Sequence, residues 1–510
     1  MDESAMERPL RIAVDLTHLL AGGTNGGVKP FIFEYVGWLG RQRLVPVKLF
    51  FLTRSQSHAE VRRLARFGDE LICVIADPGG RDIRTRAHSP AESARFDAPP
   101  DLIARLGVDL LYAPFGECAW SHPGIPTLAA IVDVLHRDYP FSLTPRLVLH
   151  REAVFQETIR RADTIQGISE YTLSRVAHHY GFPRDRMFCS PIAIHHRLVP
   201  KLKVPDQTPT DHPYFLYPAN AWKHKNHEVL FLAYGIYRTQ VGAGAWDLVL
   251  TGHDDQAMRD LLALATTLGL DPHVRFLGHL SEDCFSAVWS KAGALVFPSL
   301  HEGFGIPLVE AMAFGLPVLC SRAGALPEVG GDACLYVDAT KPLALAEGLA
   351  RIAGDPELRA RFSGRGHERL KSFSFEHDAR RFLDELVACA GRPPRPTIGG
   401  FYQDGWTAPR AYIGTPDTGR RSQLELALRP MPAARHLKIY DGPDLIGDAR
   451  LAAGTARTLR WPMIPSGRAL ALAVPDATRL DPADHRIHGV LVASVRLREG
   501  DGKEINLLAP

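Results

Sequence analysis

The stretch at 292–320 constrains this chain more than any other, because two apolar runs there flank a glycine-containing loop and a helical pattern. The apolar beginning of the stretch predicts a buried strand, and its apolar end predicts the next strand. Gly303 and Gly305 indicate a turn after the first of these strands, and a helix is expected to begin near Ile306. Pro307 suits the first position of that helix, since its missing N–H would have no partner there. The pattern is typical of a strand–loop–helix–strand unit.

This unit carries two carboxylates, Glu302 before the predicted helix and Glu310 within its first turns. A helix start directs unpaired N–H groups and the positive end of the helix dipole at one spot, which suits an anion. Carboxylates accept hydrogen bonds from sugar hydroxyls. The arrangement therefore suits a sugar attached to a phosphate. The alternative is a purely structural unit in which Glu310 is only stabilised by the helix dipole.

The segment at 300–330 resembles the Glu-x7-Glu signature of retaining glycosyltransferases of family 4. The resemblance implies an α/β protein with the GT-B fold, in which two Rossmann-like, doubly wound domains face a cleft. It also implies that Glu310 binds the donor ribose and that Glu302 binds hydroxyls of the donor sugar. The remaining donor-binding residues implied in this loop are Gly303, Phe304, Gly305 and Ile306.

Bulk composition describes an ordinary globular protein. The 510 residues predict two or three domains, and a net charge of +2 gives no reason to expect nucleic acid as a partner. No run approaches the roughly 20 apolar residues that span a bilayer, and the first residues are too polar for a signal peptide. The seven scattered cysteines indicate reduced thiols. We expect a cytoplasmic protein whose membrane contact, at the inner face of the plasma membrane, is peripheral.

A glycine-containing loop at 17–27 follows the first predicted strand and precedes a helix that begins at Val28. Its Gly26 and Gly27 let backbone approach a ligand closely. The loop is neither a Walker loop nor a dinucleotide-binding turn, so a purely structural loop remains an alternative. It resembles the first loop of family 4 enzymes, which lies near the donor diphosphate and the acceptor.

The segment at 132–140 resembles the acceptor-side His-Asp segment of the family, with one departure. Val132 stands where relatives have the histidine, and a histidine follows the aspartate by three residues. Asp133 and His136 are therefore the candidates for the reacting centre. The alternative is a strand-end aspartate and a surface histidine.

The predicted helix at 146–162 carries several arginines. Such a run is usually a solvated face. The alternative is a patch for acidic lipid headgroups or for a phosphorylated, lipid-linked acceptor.

The predicted second domain begins with a strand near 214 and a loop at 221–226. Lys223 and Lys225 stand just before a helix start, where they could hold a diphosphate, although lysines there are often only solvated. The loop resembles the family's Trp-x-His-Lys-Asn segment, whose lysine binds the donor diphosphate and corresponds to Lys225. Many relatives have an arginine where this chain has Asn220, so Lys223 is expected to compensate.

Two further turns complete the predicted donor site, one at Gly252 and one ending at Leu280. In relatives, backbone near the second turn reads the nucleotide base. Strands alternate with helices from 11 to 338, which predicts a parallel, doubly wound sheet in each half. In relatives the last helix, predicted here at 373–389, crosses back to the first domain.

The pattern changes after a proline-rich linker at 391–396, where short alternating strands predict a small β-sandwich. Tyr402, Trp406 and Trp461 suit either a sugar-binding platform or a hydrophobic core. The predicted domains are an acceptor domain at 1–199, a donor domain at 200–390 and an accessory β-domain at 391–510.

The sequence thus predicts a retaining glycosyltransferase that moves a sugar, most simply mannose from GDP-mannose, to a glycan or lipid-linked acceptor in surface polysaccharide synthesis. Catalysis is assigned to Asp133, His136, Lys225 and Glu302. No Asp-x-Asp motif occurs, so neither a metal nor another cofactor is expected. Front-face displacement assisted by the departing phosphate is the expected mechanism. The alternative is a non-catalytic carbohydrate-binding or scaffold protein that retains the fold.

Overall fold

A computed structural model describes most of the chain. The described residues are 8–20, 25–76, 92–94, 102–122, 124–193, 212–271, 273–392, 398–401, 404–416, 418–441, 444–465, 469–478, 480 and 488–508. Gly22 and Gly23, which belong to the predicted loop at 17–27, and Tyr402 lie outside these residues. The predicted boundary between 199 and 200 also lies outside them and stays a prediction.

The first domain is built on a parallel sheet of eight strands within the described residues. Its strands are β1 (Leu10–Asp15), β2 (Val47–Arg54), β3 (Glu70–Ile75), β4 (Glu92–Ala94), β5 (Leu110–Ala113), β6 (Thr127–Ile131), β7 (Thr164–Gly167) and β8 (Met187–Cys189). They lie in the order β4-β3-β2-β1-β5-β6-β7-β8, so the strand order reverses between β1 and β5. Strands such as β5 and β6 are apolar and buried throughout, as expected where helices cover both faces of a sheet.

The first-domain sheet is accompanied by six helices within the described residues. They are α1 (Val28–Arg41), α2 (His58–Val61), α3 (Leu102–Arg105), α4 (Leu135–Asp138), α5 (Pro145–Arg161) and α6 (Glu170–Tyr180). Helix α1 buries Phe31, Tyr35, Trp38 and Leu39, the face that the helical spacing predicts. Helix α6 is capped by Ser169, whose Oγ accepts the N–H of Thr172 at 3.0 Å.

The second domain repeats the design with a parallel sheet in the order β11-β10-β9-β12-β13-β14. Its strands are β9 (Tyr214–Pro218), β10 (Asp247–Thr251), β11 (Val274–Phe276), β12 (Ala294–Phe297), β13 (Val318–Cys320) and β14 (Cys334–Tyr336). Its helices are α7 (His227–Val241), α8 (Gln256–Thr267), α9 (Glu282–Lys291), α10 (Ile306–Ala313), α11 (Leu326–Gly330), α12 (Pro342–Gly354), α13 (Pro356–Leu370) and α14 (Phe375–Ala390). The strand order here reverses between β9 and β12.

Helix α14 packs on the first domain. The Phe382 ring lies 5.3 Å from the Tyr35 ring and 5.1 Å from the Tyr112 ring, and the Trp38 indole donates to Glu376 at 2.9 Å. A single buried apolar cluster consequently includes residues of both domains.

The C-terminal region forms two antiparallel sheets around a core of its own. Its strands are β15 (Ile398–Phe401), β16 (Thr407–Gly414), β17 (Ser422–Leu428), β18 (Arg435–Asp441), β19 (Asp444–Leu451), β20 (Arg457–Met463), β21 (Ala469–Ala473), β22 (Val492–Glu499) and β23 (Glu504–Asn506). One sheet has the order β15-β16-β21-β18-β19 and the other β20-β17-β22-β23. Trp406 and Trp461 pack against this core, which agrees with the core interpretation of these two aromatic residues.

The three regions together confirm the predicted architecture of two Rossmann-like units followed by a β region. No helix in the described part of the chain is long and apolar enough to cross a membrane.

Candidate functional site

A cavity of about 860 Å³ lies between the two parallel sheets, at the carboxyl ends of their central strands. Open parallel sheets bind ligands in the crevice where the strand order reverses. Both reversals, β1/β5 and β9/β12, open toward this cavity, because its walls include the segments that follow β1, β9 and β12. The fold therefore directs two ligand-binding edges at one space.

The first-domain loop that precedes α1 closes one side of the cavity with glycine backbone. Gly26 has a φ of +56°, and a Cβ at Gly27 would lie 2.5 Å from the Ile306 Cδ1 of the second domain. A Cβ at Gly26 would lie 3.6 Å from the Trp222 ring. The two glycines thus allow the loops of the two domains to meet, as their placement before the helix suggested.

The signature loop requires glycine for a stronger reason. A Cβ at Gly303 would lie 1.9 Å from the Val132 carbonyl oxygen, so the backbones of the two domains touch there. The Gly303 carbonyl also accepts a hydrogen bond from Ser169 Oγ at 2.7 Å. Gly305, with a φ of +102°, turns the chain into α10, and Phe304 is buried beneath the loop.

Helix α10 begins at the cavity, and its residues Ile306, Pro307 and Glu310 line the wall. Pro307 occupies the second helical position, one residue later than the first position that suits proline best. Glu310 is largely buried, with 5% of its surface exposed. The positive end of the helix dipole and one carboxylate therefore face the same space.

Lys225 and Glu302 form an ion pair in the wall of the cavity. The Lys225 Nζ lies 2.5 Å from Glu302 Oε1, and the two side chains are only 13% and 11% exposed. The same Nζ lies 5.4 Å from the centre of the Phe297 ring. The adjacent Asn226 fixes this loop, because its side-chain amide donates to the carbonyl oxygens of Pro298 and Ala339. The lysine is thus held at the site with its charge balanced by Glu302.

Asn220 lines the cavity just after β9, at the position where the resemblance to family 4 led us to expect an arginine. Its Oδ1 accepts the His253 N–H at 3.0 Å and so joins the ends of β9 and β10. Gly252 lies beneath it, because a Cβ there would be 2.7 Å from the Ala219 carbonyl oxygen. Leu280 lines the wall farther along. Asn220 therefore makes a structural hydrogen bond and also faces the cavity.

Asp133 faces the cavity from the first domain, beside the signature loop. Its Oδ1 accepts the Leu135 N–H at 2.8 Å and a hydrogen bond from Arg151 Nη2. Burial alone would raise the pKa of Asp133, but the Arg151 guanidinium and this N–H outweigh it and hold the pKa below the ordinary value. Asp133 is consequently an ionised carboxylate at neutral pH.

The structure corrects two of the predicted site residues. His136 does not line the cavity: its side chain is fully buried, with Nε2 2.8 Å from the Tyr180 hydroxyl and the ring 4.4 Å from Phe155. Burial lowers the pKa of His136 to about 4, so it is neutral at physiological pH. Lys223 is exposed and lies outside the cavity, because the turn Lys223–Lys225 points its first residue outward. The other predicted site residues all line the cavity.

Among the cavity-lining residues that sequence reasoning missed, four charged or aromatic ones belong to the first domain and two to the second. They are Lys29, Phe33, Glu34, Glu60, Trp222 and Glu282. The spacing of Pro30, Phe33 and Glu34 is a helical i, i+3, i+4 pattern on the side of α1 that lines the cavity, and this spacing was a usable signal. Glu60 stands in a short helix with no motif. In the described part of the chain, no three His, Cys, Asp or Glu side chains group in a way that could hold a metal ion.

Comparison with known proteins finds that this chain is similar to glycosyltransferases. Residues 200–369 match the family described as Glycosyl transferases group 1, and the match covers the second domain up to the end of α13. The O-antigen chain mannosyltransferase B of Escherichia coli is 28% identical over 239 residues, which are 45% of this chain and 62% of the relative. The D-inositol 3-phosphate glycosyltransferase of Corynebacterium kroppenstedtii is 34% identical over 24% of this chain and 27% of the relative. Each match thus spans less than two thirds of the relative's length.

The solved structures extend the likeness to both parallel sheets. A glycosyltransferase from Rickettsia africae superposes with a TM-score of 0.55 at 14% identity, covering 76% of this chain and all of that protein. At this identity the likeness concerns the fold alone. The chain has the GT-B fold, with its cavity between the two Rossmann-like domains.

We predict that Gly303→Ala loosens the contact between the two domains. A methyl group there cannot fit against the Val132 carbonyl oxygen unless the backbones separate, and overpacking of this kind costs about 1–3 kcal/mol. The measurement is the unfolding temperature together with the radius of gyration in solution.

Gly364→Ala is the matched control. Gly364 is an exposed position of α13 with nothing within 4 Å of an added Cβ, so alanine should stabilise the helix by up to about 1 kcal/mol. If Gly303→Ala unfolds like the parent and keeps its radius of gyration, the close contact is not needed for the domain arrangement.

Proposed function

We propose that this protein is a retaining glycosyltransferase of the family 4 type. It would transfer a sugar from a nucleoside diphosphate to a hydroxyl group of a glycan or lipid-linked acceptor. One observation carries the proposal: Lys225, Glu302, Glu310 and the start of α10 line one wall of a cavity whose opposite wall holds Asp133. Cation and helix dipole suit a diphosphate, while carboxylates suit sugar hydroxyls.

The donor lies on the second-domain wall in this proposal. Its diphosphate takes hydrogen bonds at the N-terminus of α10 and from Lys225, its ribose hydroxyls bind Glu310, and the transferred sugar binds Glu302. Lys225 is paired with Glu302 at 2.5 Å, so the arriving diphosphate shares the ammonium group with that carboxylate. The sugar hydroxyls then supply Glu302 with hydrogen bonds in place of part of this contact.

Transfer proceeds on one face of the donor sugar. The acceptor oxygen approaches the anomeric carbon from the side on which the phosphate departs, so the configuration is retained. The bond from the anomeric carbon to the phosphate oxygen breaks, a glycosidic bond forms, and the acceptor proton passes to the departing phosphate. Lys225 and the helix stabilise the negative charge on the leaving group without a metal ion. Asp133 lies on the acceptor side and orients the incoming hydroxyl.

GDP-mannose is the proposed donor, and bacterial surface polysaccharide synthesis at the cytoplasmic face of the membrane is the proposed setting. The support is the likeness to a relative named O-antigen chain mannosyltransferase B. The alternative is a non-catalytic carbohydrate-binding protein. Turnover of a nucleotide sugar would distinguish a glycosyltransferase from it.

The test is a panel of nucleotide sugars incubated with the full-length protein, with and without EDTA, followed by measurement of released nucleoside diphosphate. We expect GDP-mannose to be consumed fastest and the rate to persist in EDTA, because lysine and helix dipole replace the divalent ion. Loss of turnover in EDTA that added metal restores would refute metal independence. Binding of nucleotide sugars with no turnover of any of them would favour the non-catalytic protein.

Lys225 and Lys223 offer a matched pair of substitutions. Lys225→Ala removes the amine that faces the leaving group and leaves Glu302 unpaired beside it, so kcat should fall by about 10²–10³. Lys223→Ala, two residues away on the exposed side of the same turn, should change kcat far less. Steady-state kinetics measures kcat for both variants. Equal and small losses of kcat at both positions would show that the diphosphate binds elsewhere.

The peripheral membrane contact is proposed for the surface at 139–150, which comprises the connection between α4 and α5 and the start of α5. Phe141 is 84% exposed and Leu149 72% exposed, and the segment has no acidic residue while carrying Arg146 and His150. Exposed apolar side chains among basic ones suit a bilayer with anionic headgroups.

The double substitution Phe141→Ala/Leu149→Ala should weaken binding to vesicles that contain phosphatidylglycerol by at least about tenfold, because burying each side chain contributes about 1.5–3 kcal/mol. Co-sedimentation with the vesicles measures the effect. Phe67→Ala is the control, since Phe67 is fully exposed elsewhere on the first domain. Equal binding by the double variant and the parent would exclude this surface.

A further inference from the structure

The Asp133 carboxylate is held by the protein through one of its two oxygens. Its Oδ1 accepts hydrogen bonds from the Leu135 N–H at 2.8 Å and from Arg151 Nη2. The described residues form no hydrogen bond to Oδ2, and the Asp133 side chain, which lines the cavity, is 25% exposed. Oδ2 is therefore the oxygen that a ligand in the cavity can reach.

Arg151 reaches Asp133 from α5, a helix that lies mostly on the surface. Thr158 is the one buried residue of this helix. Two polar contacts anchor its second half, because Thr158 Oγ1 donates to the Gly116 carbonyl oxygen and Arg161 Nη1 donates to the Cys118 carbonyl oxygen at 2.6 Å. The helix is thus fixed independently of the contact between Arg151 and Asp133.

The surroundings of Arg151 show that its side chain is committed to this contact. The guanidinium carbon lies 5.7 Å from the centre of the Phe155 ring, and Nε is buried with no hydrogen-bond partner among the described residues. A buried donor without an acceptor lowers stability. An arginine that only stabilised the helix would do better with its guanidinium in water, where this N–H would be hydrated. The placement of Arg151 therefore indicates a role in the site.

Arg151 is also the group that does most to keep Asp133 ionised. Burial raises the pKa of Asp133, and Arg151 is the largest of the influences that lower it, ahead of the Leu135 N–H. Two histidines, His301 and His224, contribute less. Burial lowers the pKa of His224 to about 4, so it is neutral at physiological pH, and His301 Nε2 faces another carboxylate of the first domain at 3.6 Å.

A carboxylate anchored at one oxygen suits the task of orienting a hydroxyl group. Asp133 lies beside the loop that carries Glu302, since a Cβ at Gly303 would be 3.3 Å from the Asp133 Cβ. Oδ2 can accept the hydrogen bond of an incoming hydroxyl, while the two contacts to Oδ1 prevent the carboxylate from rotating. Orientation of this kind matters, because a displacement of about 1 Å in a reacting group can lower a rate about 10²-fold.

We infer that Arg151 is a positioning residue, which holds Asp133 Oδ1 and thereby directs Oδ2 at the hydroxyl group of the acceptor. Arg151 does not line the cavity, so it acts through Asp133 and not on either substrate. The inference rests on the proposed glycosyl transfer and adds to it the residue that orients the acceptor-side carboxylate.

The experiment measures release of GDP from GDP-mannose by the full-length protein in the presence of methyl α-mannoside, or from another nucleotide sugar if the panel identifies one. Arg151→Met keeps a side chain of comparable length without its charge and donors. We expect kcat at neutral pH to fall about 10²-fold, because Asp133 loses its orientation. The Kd for GDP should not change, since the proposed donor groups belong to the opposite wall. Arg151→Lys should restore part of kcat, because the Asp133 contact uses one N–H donor and a positive charge.

The pH profile of kcat distinguishes positioning from a merely structural role. In the parent, Arg151 holds the pKa of Asp133 below its ordinary value, so the activity that needs this carboxylate persists as the pH falls toward that pKa. Without the guanidinium, burial dominates and the pKa rises. The loss of activity on the acid side should then move to higher pH by about 1–3 units. A structural defect would lower kcat equally across the profile.

Two further variants complete the comparison. Arg160→Met is the matched control, because Arg160 belongs to the same helix, pairs with Glu157 and is 45% exposed outside the cavity, so kcat and its pH profile should not change. In Asp133→Asn, adding Arg151→Met should have little further effect on kcat, since residues that act as one unit are not additive.

An unchanged acid-side profile in Arg151→Met overturns the inference, as do additive losses of kcat in the Asp133→Asn/Arg151→Met variant. Equal effects of Arg151→Met and Arg160→Met also overturn it. In each of these cases turnover by the parent leaves glycosyl transfer standing. If the parent turns over no nucleotide sugar, the proposed function fails and the inference falls with it.

Discussion

The site depends on one close contact, in which the backbone of Gly303 lies against the Val132 carbonyl of the other domain. The contact brings the end of β6 to the loop that follows β12, and Ser169 secures it by donating to the Gly303 carbonyl oxygen. Glu328 adds a second connection, since its carboxylate accepts the backbone N–H groups of Glu170 and Tyr171 at 2.8 Å each. Together with the packing of α14 on the first domain, these contacts keep Asp133 and Glu302 on the walls of one cavity.

Within that cavity, carboxylates outnumber amines. The described residues that line it include Lys29 and Lys225 against six acidic residues, which are Glu34, Glu60, Asp133, Glu282, Glu302 and Glu310. Each lysine is paired with a glutamate of its own domain. A diphosphate therefore depends on the α10 dipole and on its ability to compete with Glu302 for Lys225, while hydroxyl groups meet acceptors on both walls. This balance is consistent with a ligand that is mostly sugar and carries its charge at one point.

Sequence patterns predicted the elements of the fold well where periodicity was strong, and the parallel sheets, α1, α10 and the β region are confirmed. Local motif residues such as Gly303, Lys225 and Glu310 were found because the chemistry sits within a few positions of one strand end. His136 could not be placed, because whether a residue after a strand end points to the cleft or into the α5–α6 packing depends on tertiary contacts. Glu60 could not be predicted as a site residue for the same reason, because only the folded chain places it next to Lys29.

Asn220 shows how a departure from the family pattern can be part of the structure. The resemblance to family 4 implies an arginine at this position that would supply charge to a diphosphate, but here the side-chain oxygen accepts the His253 N–H at 3.0 Å. The backbone at Gly252 packs so closely against Ala219 that a Cβ would clash, and Asn220 bridges the same turn. Restoring an arginine would add a cation and at the same time leave that N–H without its acceptor. The neutral residue is thus coupled to the geometry of the β9–β10 edge, and Lys225 is left as the one lysine of the described second-domain wall.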